Sequence, residues 1–207
     1  MAIHPNVRIH PTADVSDEAV IGEGTSIWHE AQVRERAHIG VGCNLGKGVY
    51  VDFDVQIGDN CKIQNRASIY HGTTLADGVF VGPHVIFTND KLPRAINADG
   101  SVKSNDDWVV GPISVGQGAS LGAGSIILPG VNVGVFALVG SGSVVTKHVP
   151  DYAIVVGNPA RVVGFACGCG TKLQQAGEAY QCPACGRLYY PEGEGLVPGE
   201  QQGATTT

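Results

Sequence analysis

From Ile3 to Phe87 every sixth residue is Ile, Val, Leu or Phe, fifteen positions without a miss. Gly often follows the beat, as in Ile21-Gly22, Ile39-Gly40, Leu45-Gly46, Ile57-Gly58 and Val81-Gly82. The residue two before it is usually small: Ala19, Thr25, Ala31, Ala37, Cys43, Cys61 and Ala67. Over such a distance a period of six fits neither an amphipathic helix nor an ordinary hairpin sheet. It fits a parallel β-helix wound from hexapeptides. Thirty glycines against five phenylalanines and one methionine suit a chain built from tight turns and small packed residues.

The beat stops at the stretch FTND, residues 87–90, and resumes at Val115, Leu121, Ile127, Val133, Val139 and Val145. The distance from 87 to 115 is not a multiple of six, so residues 91–108 must leave the coil and return. Insertions in solenoids gather on one face, often the binding face, and long loops in compact repeats are usually functional.

A chain of 207 residues has room for one sizeable domain and a small appendage. The net charge of −6 argues against a sequence-independent binder of nucleic-acid backbones, which needs clustered Lys and Arg. The N-terminal stretch MAIHPNVRIHPTADV has no apolar h-region, and no run approaches a membrane span, so a cytoplasmic protein is expected. Of the six cysteines, Cys43 and Cys61 lie alone in the repeat and read as reduced core thiols. The other four crowd the C-terminus.

The hexads over residues 3–149, followed by VVTKHVP and GNPARVVG, resemble the left-handed parallel β-helix acyltransferases over about three quarters of the chain. Within them, IHPTADV, IWH, VDFDVQIGDNCKIQNRASIY, VFVGPHVIFTNDKLPRA and GNPARVVGFACGCG are similar to the bacterial nucleotide-sugar N-acetyltransferases. The nearest family is the UDP-2-acetamido-3-amino-2,3-dideoxy-glucuronate N-acetyltransferases, which serve surface-polysaccharide synthesis. The resemblance implies an all-β, left-handed β-helix of about seven coils, three hexads to a triangular coil, with residues 18 apart stacked. It also implies a homotrimer with acetyl-CoA held between neighbouring prisms.

On that 18-residue map Glu35, Phe53, His71 and Asn89 form one column, and Arg34, Asp52, Tyr70 and Thr88 the next. The family places the Asn of FTND at the sugar amine, which carries onto Asn89. An amide is a poor base, but its carbonyl can accept from the amine and orient it. His71, one coil before, is the rival candidate as a general base. Asn65, Tyr70, Asp90 and Arg94 are expected around the substrate, Arg94 pairing with a carboxylate or a diphosphate. His29, His84 and His148 read as surface or turn histidines. Related β-helix acetyltransferases place CoA against residues that land here on Ala123, Ser141, Thr146, Lys147 and Arg161, with Lys147 and Arg161 as cations for its phosphates.

After Gly164 the beat is gone. Cys167, Cys169, Cys182 and Cys185, spaced C-x-C and C-x-x-C, are enough for a closed tetrahedral zinc site, close to a zinc ribbon. The expected layout is a coil domain at 1–164, a ribbon at 165–190 and, from the Gly, Glu, Gln and Thr content, a disordered tail at 191–207. Two further functions remain open: the same acetylation on a dTDP-3-amino-deoxyhexose, or a trimeric binding or assembly module without catalysis. A γ-type carbonic anhydrase shares the hexads but needs three histidines on zinc, and His71 and His84 find no third at a coil spacing.

Overall fold

The computed structural model describes residues 3–199. Each hexad folds as a two-residue strand and a corner, and strands three hexads apart pair in parallel: Arg8↔Ser26, Asp14↔Gln32, Val20↔His38. The result is a prism with sheets of nine, seven and six strands. The beat residues point inward: Ile3, Ile9 and Val15 in the first coil are half-buried, and from Ile21 onward they are buried, with Ile39, Leu45, Val51, Ile63 and Ile69 wholly so and the small positions two before them filling the space between. Cys43 and Cys61 are among these buried core residues, both as free thiols. They lie one coil apart, and a hydrogen bond with Cys43, followed by burial, pushes the Cys61 thiol up.

Glycine serves two separate needs in this repeat. At Gly40, which follows a beat residue, a Cβ would stand 2.7 Å from the carbonyl carbon of Gly58 and against Asp59, so coils approach there only without a side chain. At Gly124 nothing lies within 4 Å, but the corner runs at φ +67°, the left-handed region that favours glycine. His84 takes a corner of the same kind at φ 58°.

Eight strands of the nine-stranded sheet stack along the prism, one more coil than the hexads imply. The extra coil comes from Ala153–Val156, which pairs in parallel with Leu138–Val139 although it lies beyond the last beat at Val145. Arg161–Phe165 then folds back antiparallel on that strand and ends the coil.

The inserted segment leaves after Ile86–Phe87 and returns at Ile113–Val115, where the spacing of stacked partners jumps from 18 residues to 40. Its neck is an antiparallel bridge: Asp90 pairs with Val110, Lys91 N–H donates to Val109 O, and Gly111 N–H donates to Asn89 O. The C-terminal module is a four-stranded antiparallel sheet of Gln174–Ala176, Ala179–Gln181, Leu188–Glu192 and Gly195–Pro198. It therefore runs beyond residue 190. The expected disorder fails for 191–198 because Leu196, 1% exposed, packs into a second core with Tyr152 and Tyr189. Residues 200–207 of that tail lie outside the described residues.

Candidate functional site

Where the seven-stranded sheet turns into the six-stranded one, the two polar columns form a single network. Its hub is Asp52, 3% exposed. Oδ1 accepts from Arg34 Nη1 at 3.0 Å, from the Tyr50 hydroxyl at 2.9 Å and from Phe53 N–H at 2.9 Å, and Oδ2 accepts from His71 N–H at 3.2 Å. Arg34 also pairs with Glu35 at 2.6 Å and lies over the Phe53 ring. Hydrogen bonds to Tyr50 and Glu35 hold its guanidinium above its usual range, and burial, first among its causes, raises the Tyr50 phenol. The sequence placed Arg34 over Asp52 but gave no sign of Tyr50 or of the two backbone donors.

His71 sits on this hub. Its ring stacks on Phe53 at 4.2 Å, and Nδ1 donates to Phe53 O at 3.1 Å. A carbonyl only accepts, so the neutral ring carries its proton on Nδ1 and its lone pair on Nε2. Directly above, Asn89 is 8% exposed and its Nδ2 donates to His71 O at 3.3 Å. The Gly111 N–H bond to its carbonyl fixes its backbone at the neck of the loop.

A cleft of about 550 Å³ opens beside Asn89, lined by Tyr70, Asp90, Lys91, Leu128 and Thr146 among others. Asn89, Tyr70 and Asp90 thus line one cleft, together with Thr146, which was expected at the cofactor, and Lys91, which sequence reasoning passed over. Asp90 also accepts from Leu92 N–H at 2.8 Å, turning the chain into the loop. His71 meets Asn89 through its carbonyl but does not line the cleft. Arg94 lines a neighbouring cleft under the loop. Asn65 lies at a different corner, where its Oδ1 accepts from Lys47 N–H at 3.0 Å; Asp59 does the same for Val41, so the Asn65 amide braces the coil.

The expected cofactor residues divide between two edges of the seven-stranded sheet. Ala123 and Ser141 are exposed and stack one coil apart at the far corner, where Gly142 N–H donates to Ala123 O. Thr146 and Lys147 stand at the near corner, sharing a second hollow with Pro129 and Glu194. Arg161 is exposed on the closing strand and donates to Ala160 O at 2.9 Å. Of the remaining histidines, His29 stacks on His10 at 3.5 Å, and His148 Nδ1 accepts from Asn132 N–H.

The four C-terminal thiol sulfurs all lie within 4.8 Å of one another, with Cys167–Cys185 at 3.5 Å and Cys169–Cys182 at 3.6 Å, and none is disulfide-bonded. Four Zn–S bonds of ~2.3 Å in a tetrahedron put sulfurs about 3.8 Å apart, so this donor set fits zinc with no position left open. Hydrogen bonds from Thr171 bring the Cys169 thiol down to about 6.

The bacterial transferase hexapeptide family (six repeats) matches residues 54–89, and the hexapeptide repeat of succinyl-transferase matches 36–71 and 112–147. The inserted loop falls between the matched stretches. Among curated proteins, the dTDP-3-amino-3,6-dideoxy-alpha-D-galactopyranose 3-N-acetyltransferase of Aneurinibacillus thermoaerophilus is 48% identical over 80 residues, which is 38% of this chain and 41% of that one. The galactoside O-acetyltransferase of Escherichia coli (strain K12) is 26% identical over 157 residues, 74% of this chain and 70% of that one. The match thus spans less than half the length of the first of these relatives. Among solved structures, an N-acyltransferase from Bacillus cereus in complex with dTDP-4-amino-4,6-dideoxyglucose and coenzyme A gives a TM-score of 0.50 at 24% identity, covering 78% of this chain and 81% of that one, a likeness of fold. Among the described residues no helix is long and apolar enough to cross a membrane.

Proposed function

We propose that this chain, which carries the hexapeptide repeats of the bacterial transferases, moves the acetyl group of acetyl-CoA onto the amine of a nucleotide-linked sugar. The observation that carries the reading is Asn89, a buried amide at the mouth of the inserted loop whose Nδ2 is engaged by His71 O, which leaves Oδ1 to accept from a substrate amine. An amine oriented in this way attacks the thioester carbonyl directly. The C–N bond forms, a coil backbone N–H holds the tetrahedral oxyanion, and the C–S bond breaks. The departing CoA thiolate takes the surplus proton, so no strong protein base is required. His71, with its lone pair on Nε2, is the competing base.

The sugar is the 3-amino sugar UDP-2-acetamido-3-amino-2,3-dideoxy-glucuronate, a reading that rests on the motif resemblance, with Arg94 suited to its carboxylate. A dTDP-3-amino-deoxyhexose is the second reading, favoured by the 48%-identical relative. The acyl donor lies along Ala123 and Ser141, with Lys147 and Arg161 at its phosphates. Ala123 and Ser141 occupy the corner away from Asn89, which supports the homotrimer that the motif resemblance implies, the far edge of one prism meeting the near edge of the next. The four C-terminal thiolates hold a structural zinc, and the free thiols suit a reducing, cytoplasmic compartment.

The test is release of free thiol from acetyl-CoA in the presence of UDP- and dTDP-linked 3-amino sugars. The reading predicts release with one of them and identifies the nucleotide by which. No release with any amino sugar from folded, trimeric protein would leave a binding or assembly module instead.

A further inference from the structure

Tyr189 is among the largest fully buried side chains, 1% exposed, although it carries a hydroxyl. A buried hydroxyl is costly unless it is hydrogen-bonded, and this one has two partners. The Gly168 N–H donates to its oxygen at 2.9 Å, and the Cys167 sulfur lies 3.1 Å from it. Both partners belong to the first thiol knuckle. With its oxygen accepting from an N–H, the hydroxyl has one proton to give. A metal-bound cysteine is a thiolate with no proton of its own, so once the knuckles hold a metal that proton is directed to Cys167. Cys169 and Cys185 are exposed to water, whereas Cys167, 2% exposed, is shut away from it, and Tyr189 supplies there what solvent supplies to those two.

The ring of Tyr189 leads back to the prism. It packs on Tyr152 with centroids 5.0 Å apart, and Tyr152 stacks on Phe136 at 5.6 Å. Phe136 and Tyr152 take the same corner in successive coils, at φ 51° and 60°, and a Cβ on Gly118 at that corner one coil earlier would run into the Phe136 ring. Left-handed backbone disfavours bulky residues, a cost that the stack joining prism to ribbon has to outweigh. The Phe136 ring also covers the knuckle, 3.8 Å from where a Cβ on Gly168 would stand. Prism corner, tyrosine pair and thiol knuckle are therefore one packed column.

We infer that Tyr189 gives its hydroxyl proton to the Cys167 thiolate of the metal site and couples metal affinity to the seat of the ribbon on the prism. The inference rests on the structural zinc proposed above. The hydrogen bond offsets the charge of a buried thiolate, and the ring fixes the knuckle against Tyr152, so a loaded ribbon and a docked ribbon favour each other. Tyr189 is a positioning residue, since it touches a ligand of the metal rather than a substrate.

Two measurements on the full chain test this in wild type, Tyr189→Phe and Tyr152→Gly: competition for zinc with a chromophoric chelator, and the sulfur-to-metal charge-transfer band of the cobalt(II)-loaded protein. Phenylalanine keeps the ring, and glycine suits the left-handed corner at 152, so both variants keep the prism. Tyr189→Phe is expected to bind zinc about tenfold more weakly. It should also move the cobalt band to longer wavelength, because a thiolate that loses a hydrogen bond gives up electrons more readily. Tyr152→Gly is expected to weaken zinc with the band unmoved. Wild-type affinity in Tyr189→Phe, or weaker zinc with an unmoved band, would overturn the proton assignment; full affinity in Tyr152→Gly would overturn the coupling. A wild type that binds neither metal would retire the zinc reading and this inference with it, whereas a wild type that binds zinc beside unaltered variants retires the inference alone.

Discussion

Asp52 makes more contacts than its place in a polar column suggested. With four donors on two oxygens, neither oxygen can become an amide NH₂ without setting donor against donor. Asp52→Asn should therefore destabilise the fold by about 1–3 kcal/mol, seen as a lower urea midpoint at unchanged slope; an unchanged midpoint would remove Asp52 from its role as hub. At the reacting corner, Asn89→Ala should abolish most thiol release while His71→Ala retains a measurable part, since His71 supports Asn89 through a backbone carbonyl that alanine keeps. Near-complete loss in His71→Ala with activity kept in Asn89→Ala would make the histidine the base. The columns at 18-residue spacing were legible because identical backbone geometry repeats each coil. Tyr50 and the backbone donors were not, since they reach Asp52 from within its own coil and from the one above. The brace that Asn65 makes with Lys47 was hidden for a related reason: a polar residue at a corner braces the coil as readily as it meets a ligand.

Two-residue strands cannot stand alone, so the coil depends on how closely its turns approach. Gly40→Ala forces a methyl into the backbone of the next coil and should cost about 1–3 kcal/mol of overpacking. Gly124→Ala meets no atoms and pays only for its left-handed backbone, about 1 kcal/mol. Denaturant titration of the two variants should rank them in that order; the reverse order would mean that backbone conformation rather than coil spacing sets the need for glycine. The C-terminal ribbon depends on the coil for part of its core, as Tyr152 and Phe136 pack with Leu173, Tyr189 and Leu196. Metal analysis should find one zinc per chain, and chelation should speed amide exchange through 165–199 while the hexads stay protected. Absence of zinc from metal-replete protein would contradict the assignment. Local composition announced the thiol knuckles. It hid the strand at Gly195–Pro198, whose order comes from docking on residues some 45 positions earlier: Leu196 N–H reaches Asp151 O.

At the level of the whole molecule, the prism serves as a ruler. It lines up Ala123 with Ser141 along one edge and Phe53, His71 and Asn89 along another, and the break in the beat places the inserted loop at the second. The period of six made this architecture readable from sequence, because one repeating dihedral pattern determines all three faces. The partner spacing across the insertion was not readable, because it depends on where the chain re-enters the coil. The central claim is that Asn89 presents a nucleotide-linked amine to acetyl-CoA. Its most direct test is mass analysis of UDP- and dTDP-linked 3-amino sugars incubated with acetyl-CoA and either wild type or Asn89→Ala. The account predicts one acetyl group gained on the amine with wild type and almost none with the variant; equal acetylation by both, or none by either, would contradict it.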